Sequence, residues 1–301
     1  MITASIVEKA LAYVHKRTAN YEHFFSRLTS SDWISPLKKK GYFKHPPEPR
    51  KEGDYISFPF WPESQYLARV ADQTPEEVLQ IALEVGPKTS NFRVHVDFNE
   101  AASKMPCEIA VRWSKCEATW VRSQQYVYFL SDSFIRYAKK LLESNQVKPA
   151  INLLSAVLNV VPCKVDSEGG KYSLQKPYRL RIDIYEYEKI IRECIPLLVQ
   201  KGGLSALRFL CGLYYHTIRH SNEHEDESSM IWRPAIEDHE QNRDGDSAED
   251  LQLTAIRDAA ELLIEKEGIE VLKLLEGKSL KSIFRVALHL RRKYPEIDIK
   301  G

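Results

Sequence analysis

The chain has 301 residues, of which 43% are hydrophobic and 28% charged, enough apolar material for an ordinary folded core. Its 43 basic and 42 acidic residues nearly cancel, so the overall charge gives no reason to expect nucleic acid or an anionic membrane as a partner. The sequence has neither an apolar run of membrane-spanning length nor the apolar core of a signal peptide. Five cysteines suit reduced thiols better than a disulfide framework, and we expect a cytoplasmic protein without a membrane partner.

Residues 1–73 are predicted to form an N-terminal helix, from about Thr3 to Leu28, followed by an aromatic capping segment. Five prolines between Trp33 and Trp61 exclude a long regular helix there, and Tyr55–Phe58 is expected to be extended. Prolines and aromatics that alternate around Trp61 are typical of a segment that covers the open end of a repeat array. Aromatic side chains beside lysines could instead stack nucleic-acid bases.

Residues 74–220 are predicted to form helical hairpins, in which apolar residues recur at spacings of three and four. The hairpins are expected near 74–105, 131–161 and 184–220, with turns at Gly86-Pro87, Asn145 and Gly202-Gly203. Pro196 lies inside an apolar stripe and is predicted to kink or divide its helix.

Between the second and third hairpins the pattern predicts a small β-hairpin insertion. Arg179–Ile184 alternates polar and apolar residues and is expected to pair with Cys163–Val165 across a turn at Gly169-Gly170. Residues 221–248 then form an acidic inserted loop, and 249–301 are predicted to be C-terminal helices. The acidic stretch from Glu223 to Asp250 is interpreted as hydrated.

These elements predict an all-α protein with one helical-repeat domain over residues 1–301. The expected architecture is an irregular α-solenoid of stacked helical hairpins, HEAT-like or TPR-like, because each hairpin must bury its apolar face against a neighbouring hairpin. The distance between hairpins varies, which indicates a structural repeat rather than a strict sequence repeat.

The inserted loop contains the candidates for partner binding, which are Trp232, Arg233, Glu237, Asp238 and His239. Trp232 would not usually be left in water, so the loop is expected to fold back and anchor on the helices. Arg233 is predicted to contact Asp238 or Glu237. A recognition loop is the functional interpretation, whereas a packed structural loop accounts for the same residues.

His216, His220 and His224 are the candidates for a metal site, since a spacing of four places histidines on one helical face. The glutamate of a metalloprotease His-Glu-x-x-His helix is absent, and hydrated histidines at a polar helix end are the alternative. The sequence also lacks a Gly-x-Ser-x-Gly elbow and the glycine-rich loops that bind nucleotides, so we predict no catalytic residues and no cofactor.

Three segments, WISPLKKKGYF (33–43), FPFWPESQYLAR (58–69) and IWRPAIEDHEQN (231–242), resemble the helical-repeat region of long, poorly characterised prokaryotic proteins. Several of those proteins are associated with defence against phage. The resemblance implies a HEAT-like scaffold that is one module of something larger, and it implies no catalytic residues.

The sequence therefore favours a non-catalytic scaffold that binds another protein or a neighbouring domain. Two alternatives stay open: a metal-dependent hydrolase that uses His216 and His220, and a helical-repeat protein that binds nucleic acid.

Overall fold

The computed structural model describes residues 4–14, 17–128, 131–163, 178–221, 226, 229–242 and 247–297. The protein is 72% helical, and the described residues contain fifteen α-helices and two small sheets, which confirms the all-α prediction. None of the helices in these ranges is long and apolar enough to cross a membrane. All five cysteines are free.

The chain divides into two compact units. The first comprises Met1–Ser123 and Val127–Pro149, and the second comprises Gln124–Tyr126 and Ala150–Gly301. The organisation as one helical-repeat domain stays a prediction.

The first unit contains eight helices in its described part. They are α1 (Ala4–Val14), α2 (Thr18–Arg27), α3 (Ile34–Lys39), α4 (Pro62–Arg69), α5 (Pro75–Val85), α6 (Phe92–Lys104), α7 (Cys107–Ser123) and α8 (Ser131–Glu143). Strands β1 (Arg50–Glu52) and β2 (Tyr55–Ser57) form an exposed antiparallel hairpin. The extended piece predicted at Tyr55 is therefore confirmed.

The single N-terminal helix predicted from Thr3 to Leu28 is wrong. Arg17 has an extended backbone, with φ −156° and ψ 145°, and α2 begins at the next residue. The hydrophobic spacing of two short helices was indistinguishable from that of one long helix. In the aromatic segment that follows, Trp61 and Phe43 are buried in the core, whereas Phe60 is exposed and lies under the guanidinium of Arg93 at 4.1 Å.

The helix α9 (Val147–Leu158) leads into the second unit, whose described part contains six further helices. They are α10 (Ile184–Gly202), α11 (Leu204–His220), α12 (Ser229–Trp232), α13 (Ala248–Glu267), α14 (Ile269–Glu276) and α15 (Lys281–Lys293). The helix α13 packs against α10, α11 and α15. The helix α10 continues through Pro196, so the proline does not divide it.

The predicted β-hairpin insertion exists but is displaced. Strand β3 (Val161–Pro162) pairs with β4 (Tyr178–Arg179), and Ile184 already begins α10. The predicted turn at Gly169-Gly170 lies outside the described residues. The helix begins at Ile184 because the Asp183 side chain accepts a hydrogen bond from the Glu186 amide and caps it.

Three helix pairs share a short sequence pattern. Their first helices contain IRYAKKLL (135–142), IRECIPLL (191–198) and IRDAAELL (256–263). The turn after each contains a residue with positive φ, namely Asn145 (58°), Gly203 (51°) and Gly268 (53°). Glycine and asparagine adopt this conformation at little cost, which explains their presence. That the repeat is structural rather than a strict sequence repeat stays a prediction.

Candidate functional site

The segment Ser229–Asn242 is an insertion that begins with α12 and is fixed by a buried arginine. The Arg233 side chain is only 2% exposed. Its guanidinium donates hydrogen bonds to Asp250 Oδ1 at 2.5 Å and to the Thr254 hydroxyl at 2.6 Å, both on α13. A buried guanidinium loses its hydration, so a carboxylate partner is needed to compensate.

The prediction that Arg233 contacts Glu237 or Asp238 is wrong. Both carboxylates are on the exposed side of the insertion, whereas Asp250 is buried in the first turn of α13. Proximity in the sequence favoured the near neighbours. Folding instead brings in a carboxylate that is 17 positions away.

Two further arginines hold the backbone of the insertion. Arg257 of α13 donates a hydrogen bond to the carbonyl oxygen of Ile236 at 3.0 Å. Arg285 of α15 donates to two consecutive carbonyl oxygens, those of Arg233 at 2.7 Å and Pro234 at 2.9 Å. These carbonyls lie in irregular structure and have no helical partner, so the guanidinium groups satisfy them. The insertion is therefore an ordered element.

The apolar anchor of the insertion is Ile236, which is buried, rather than the expected Trp232, which is half-buried. On the other side, Met230 is 65% exposed and Ile231 is 72% exposed. His239 is also exposed, and its Nδ1 accepts a hydrogen bond from the Gln241 amide at 3.1 Å. Two neighbouring large apolar side chains thus face solvent from a segment that is held in place.

A pocket of about 440 Å³ borders the insertion and contains two of the predicted partner-binding residues. It is lined by Glu237, Asp238, Arg257, Glu261, His289, Arg292 and Lys293. The largely buried His289 connects two of its carboxylates. Nε2 lies 2.7 Å from Glu261 Oε1, and Nδ1 lies 3.3 Å from Glu237 Oε1.

Hydrogen bonds from neighbouring basic side chains favour the ionised form of two carboxylates of this pocket. The hydrogen bond from Arg257 is the main reason that the pKa of Asp238 is lowered. Burial raises the pKa of Glu261, but hydrogen bonds from Lys293 and His289 outweigh it, so the net direction is downward. Carboxylates with lowered pKa values are poor general acids and weak bases near neutral pH. Asp238 and Glu261 are therefore poorly suited to proton transfer near neutral pH.

Known proteins give no further guidance on this arrangement. No protein-family model, curated protein or solved structure matches the chain. The resemblance to helical-repeat proteins of phage defence thus stays a prediction, and a function has to follow from the side chains themselves.

The acidic stretch is not simply hydrated, as the sequence suggested. Asp226, Glu249 and Asp250 are buried. Glu249 accepts a hydrogen bond from the Tyr178 hydroxyl at 2.5 Å. Asp226 accepts hydrogen bonds from the backbone amides of Lys281, at 2.7 Å, and Ser282, at 3.2 Å. These carboxylates serve the fold because free amides at a helix start need acceptors.

The histidines of the predicted metal site lie at the end of α11. The rings of His216 and His220 are in contact, with centroids 4.6 Å apart, and His216 Nε2 lies 3.4 Å from the carbonyl oxygen of Val160. Burial is the main cause that lowers the pKa of His216. His224 lies outside the described residues. Within them, no three histidine, cysteine, aspartate or glutamate side chains are arranged to hold a metal ion.

A second polar cluster lies in the core of the first unit and is closed to solvent. His95 and Glu117 are fully buried, and His95 Nδ1 lies 2.6 Å from Glu117 Oε2. His95 Nε2 lies 3.1 Å from the carbonyl oxygen of Gly86. The Asn99 amide donates to Glu117 Oε1 at 2.8 Å and accepts from the Trp113 indole at 2.8 Å. All of these groups are satisfied within the core, which indicates a structural network.

Two more carboxylates of the first unit, one buried and one half-buried, lie beside neutral hydroxyl groups. The Tyr21 hydroxyl donates a hydrogen bond to Glu63, and the Ser64 hydroxyl lies 2.5 Å from Asp97 Oδ2. Burial raises the pKa of Glu63 to about 7 and that of Asp97 to about 6. Neither carboxylate has a cation close enough to outweigh its loss of hydration.

Sequence reasoning missed the residues that hold the insertion, namely Arg257, Arg285 and His289. The position of Arg257 could have indicated its role. It follows Ile256 directly, in the part of α13 that is buried. A charged residue in such a position needs a partner. The identity of that partner depends on the insertion and could not be read from the helix.

Proposed function

We propose that this chain is a non-catalytic helical-repeat scaffold that binds another protein or a neighbouring domain through the insertion Ser229–Asn242. The proposed architecture is an irregular HEAT-like or TPR-like solenoid. The cellular context, a prokaryotic defence system, comes from the resemblance of the three sequence segments and belongs to the same proposal.

The shared helix-pair pattern supports the repeat part of the proposal. Two of the three pairs, α10–α11 and α13–α14, follow one another in the second unit, and α13 packs against both helices of the preceding pair. Contact between successive pairs is the arrangement expected when each pair covers the apolar face of its neighbour.

The observation that carries the binding part is the exposure of Met230 and Ile231 on a segment held by three arginines. A flexible loop can turn its apolar side chains inward, but the bonds from Arg233, Arg257 and Arg285 fix this segment. Methionine and aromatic residues are enriched in protein interfaces, and exposed apolar groups on a rigid support bind at a low entropic cost. The neighbouring pocket adds charged groups of both signs, which can set the orientation of a partner.

Affinity capture from the native host tests this proposal. The bait is the wild-type chain, the double variant Met230→Asp/Ile231→Asp, or the control Tyr185→Asp. Tyr185 is a suitable control because it is 66% exposed and lies on α10, away from the insertion in sequence. Circular dichroism checks that all three baits are folded.

We expect the wild type and the control to capture the same protein and the double variant to lose it, because two charged groups cannot enter an apolar contact without a large desolvation cost. Equal capture by the double variant would contradict the proposal. So would a wild-type chain that captures nothing above the background of an empty matrix.

A further inference from the structure

The hairpin of β1 and β2 is exposed on both of its faces. All six residues of the strands Arg50–Glu52 and Tyr55–Ser57 are exposed, so neither face packs on the core. A two-stranded hairpin is at most marginally stable by itself in water. The side chain of Asn91 supports it by donating hydrogen bonds to the carbonyl oxygens of Pro47 and Pro59, at 2.9 and 2.8 Å, on either side of the hairpin. The hairpin is thus held at its base and extends into solvent from there.

The charges of this region are separated along the hairpin. Glu52 and Asp54 lie at the turn, beside Gly53. Glu48 is a carboxylate near the base, where it accepts a hydrogen bond from the Ser90 hydroxyl at 2.9 Å. Four exposed basic side chains also lie towards the base, and none of them makes an ion pair with a described residue: Lys44, Arg50, Lys51 and Lys88. The base of the hairpin is therefore a positively charged surface.

An exposed aromatic ring lies at the same base. Phe60 directly follows Pro59 and is 61% exposed. The guanidinium of Arg93 lies 4.1 Å from the centroid of this ring, and its Nε donates a hydrogen bond to the carbonyl oxygen of Phe58 at 2.9 Å. The neighbouring Trp61 is only 3% exposed. Of these two adjacent rings, Phe60 is therefore the one that a ligand can reach, and a fixed cation lies against it.

We propose that the base of the β1–β2 hairpin binds single-stranded nucleic acid, with phosphate groups on the unpaired cations and a base stacked on Phe60. Proteins that bind single strands combine a positively charged surface with aromatic rings on which bases stack, and arginine adds a cation–π contribution. A duplex keeps its bases stacked inside and a lipid surface offers no planar group, so the accessible ring favours the single strand. The proposal does not depend on the proposed function, which concerns the insertion of the second unit.

Fluorescence anisotropy of the full chain with labelled oligomers of about 15 nucleotides tests the stacking part. One probe is oligodeoxythymidine and the other is oligouridine, so the two distinguish DNA from RNA. The wild type is expected to bind at about 50 mM salt and to lose affinity steeply as the salt is raised. Phe60→Ala is expected to raise the dissociation constant at least about fivefold. Tyr185→Ala is the matched control, because it removes a ring that is 66% exposed on α10.

The double variant Arg50→Glu/Lys51→Glu tests the phosphate contacts. It should weaken binding at low salt and reduce the slope of log affinity against log salt by about 1–2, since two cations no longer displace counterions. Lys201→Glu/Arg208→Glu changes the net charge equally at exposed positions of α10 and α11 and is the control. Circular dichroism verifies that the variants are folded.

Three results would overturn the proposal. The first is a wild-type chain that does not bind either probe at low salt. The second is a Phe60→Ala variant that binds like the wild type, or a charge control that loses as much affinity as Arg50→Glu/Lys51→Glu. The third is displacement of the probe by a duplex or by polyglutamate as readily as by the unlabelled single strand, because the surface would then bind polyanions in general.

Discussion

The core of the first unit and the insertion of the second unit surround their acidic side chains with different partners. In the first unit, Glu63 and Asp97 lie beside hydroxyl groups, and Glu117 lies beside His95 and an amide. In the second unit, the carboxylates that hold the insertion meet guanidinium groups. Burial raises the pKa of Glu63 and Asp97 despite these neutral donors, whereas the hydrogen bond from Arg257 lowers the pKa of Asp238.

This difference has a consequence for the dependence of stability on pH. Carboxylates with raised pKa values stabilise the folded state less as the pH rises, and carboxylates with lowered pKa values stabilise it less as the pH falls. The core of the first unit and the anchoring of the insertion should therefore respond to pH in opposite directions. Acidic residues thus belong to a closed network in the core of the first unit and to the anchoring of the insertion in the second.

The largest expected effect comes from breaking the closed network at Glu117. Glu117→Ala should lower the free energy of unfolding by about 3–5 kcal/mol. His95 and Asn99 lose their hydrogen-bond partner in a site that is closed to solvent. Glu261→Ala removes the corresponding glutamate beside His289, where the side chain is 25% exposed, and should cost about 1 kcal/mol or less. Urea unfolding followed by tryptophan fluorescence measures both. Equal losses in the two variants would show that the two histidines are not in different environments.

A smaller effect is expected from the pH dependence of Glu63. Its pKa rises from 4.5 in the unfolded chain to about 7 in the folded protein, so the folded state binds this proton more tightly. Stability should be full below pH 4.5 and should fall by on the order of 2 kcal/mol as the pH rises to 7. Unfolding measured at several pH values should show this fall.

The variant Glu63→Gln should lose most of that pH dependence, since glutamine does not titrate. Asp97 contributes in the same direction, so a shallower slope is expected to persist. Glu76→Gln is the control, because Glu76 is exposed and paired with Arg112. Parallel pH curves for the wild type and Glu63→Gln would contradict the assignment.

The smallest of these effects concerns the packing above His95. A Cβ atom at Gly86 would lie 2.6 Å from Trp113 Cη2, and the indole is fixed by its hydrogen bond to Asn99. Gly86→Ala should therefore cost about 1–2 kcal/mol in thermal or urea unfolding. Gly212→Ala in α11 meets no atom within 4 Å and should stabilise by about 0.5–1 kcal/mol. A neutral Gly86→Ala would show that the network tolerates a displaced indole.

The helix pairs were predictable because each helix buries one apolar face, and that requirement leaves a periodic trace. The turn at Gly203 could be placed because glycine there ends one helix and admits the next. The contacts of Arg233 and His95 could not be predicted, since a buried polar group is satisfied by whatever the fold brings near it. His95 and Glu117 lie on different helices, α6 and α7, so no spacing within one helix connects them.

The start of α15 depends on a residue far away in the chain. Its first turn has no side-chain cap of its own, and the amides of Lys281 and Ser282 are instead taken up by Asp226. Hydrogen exchange at these amides should consequently report the breaking of their hydrogen bonds to Asp226 rather than local fraying of α15. The start of α15 would then open and close together with its contact to Asp226. This contact couples the order of the C-terminal helix to a residue that lies shortly before the segment with Met230 and Ile231.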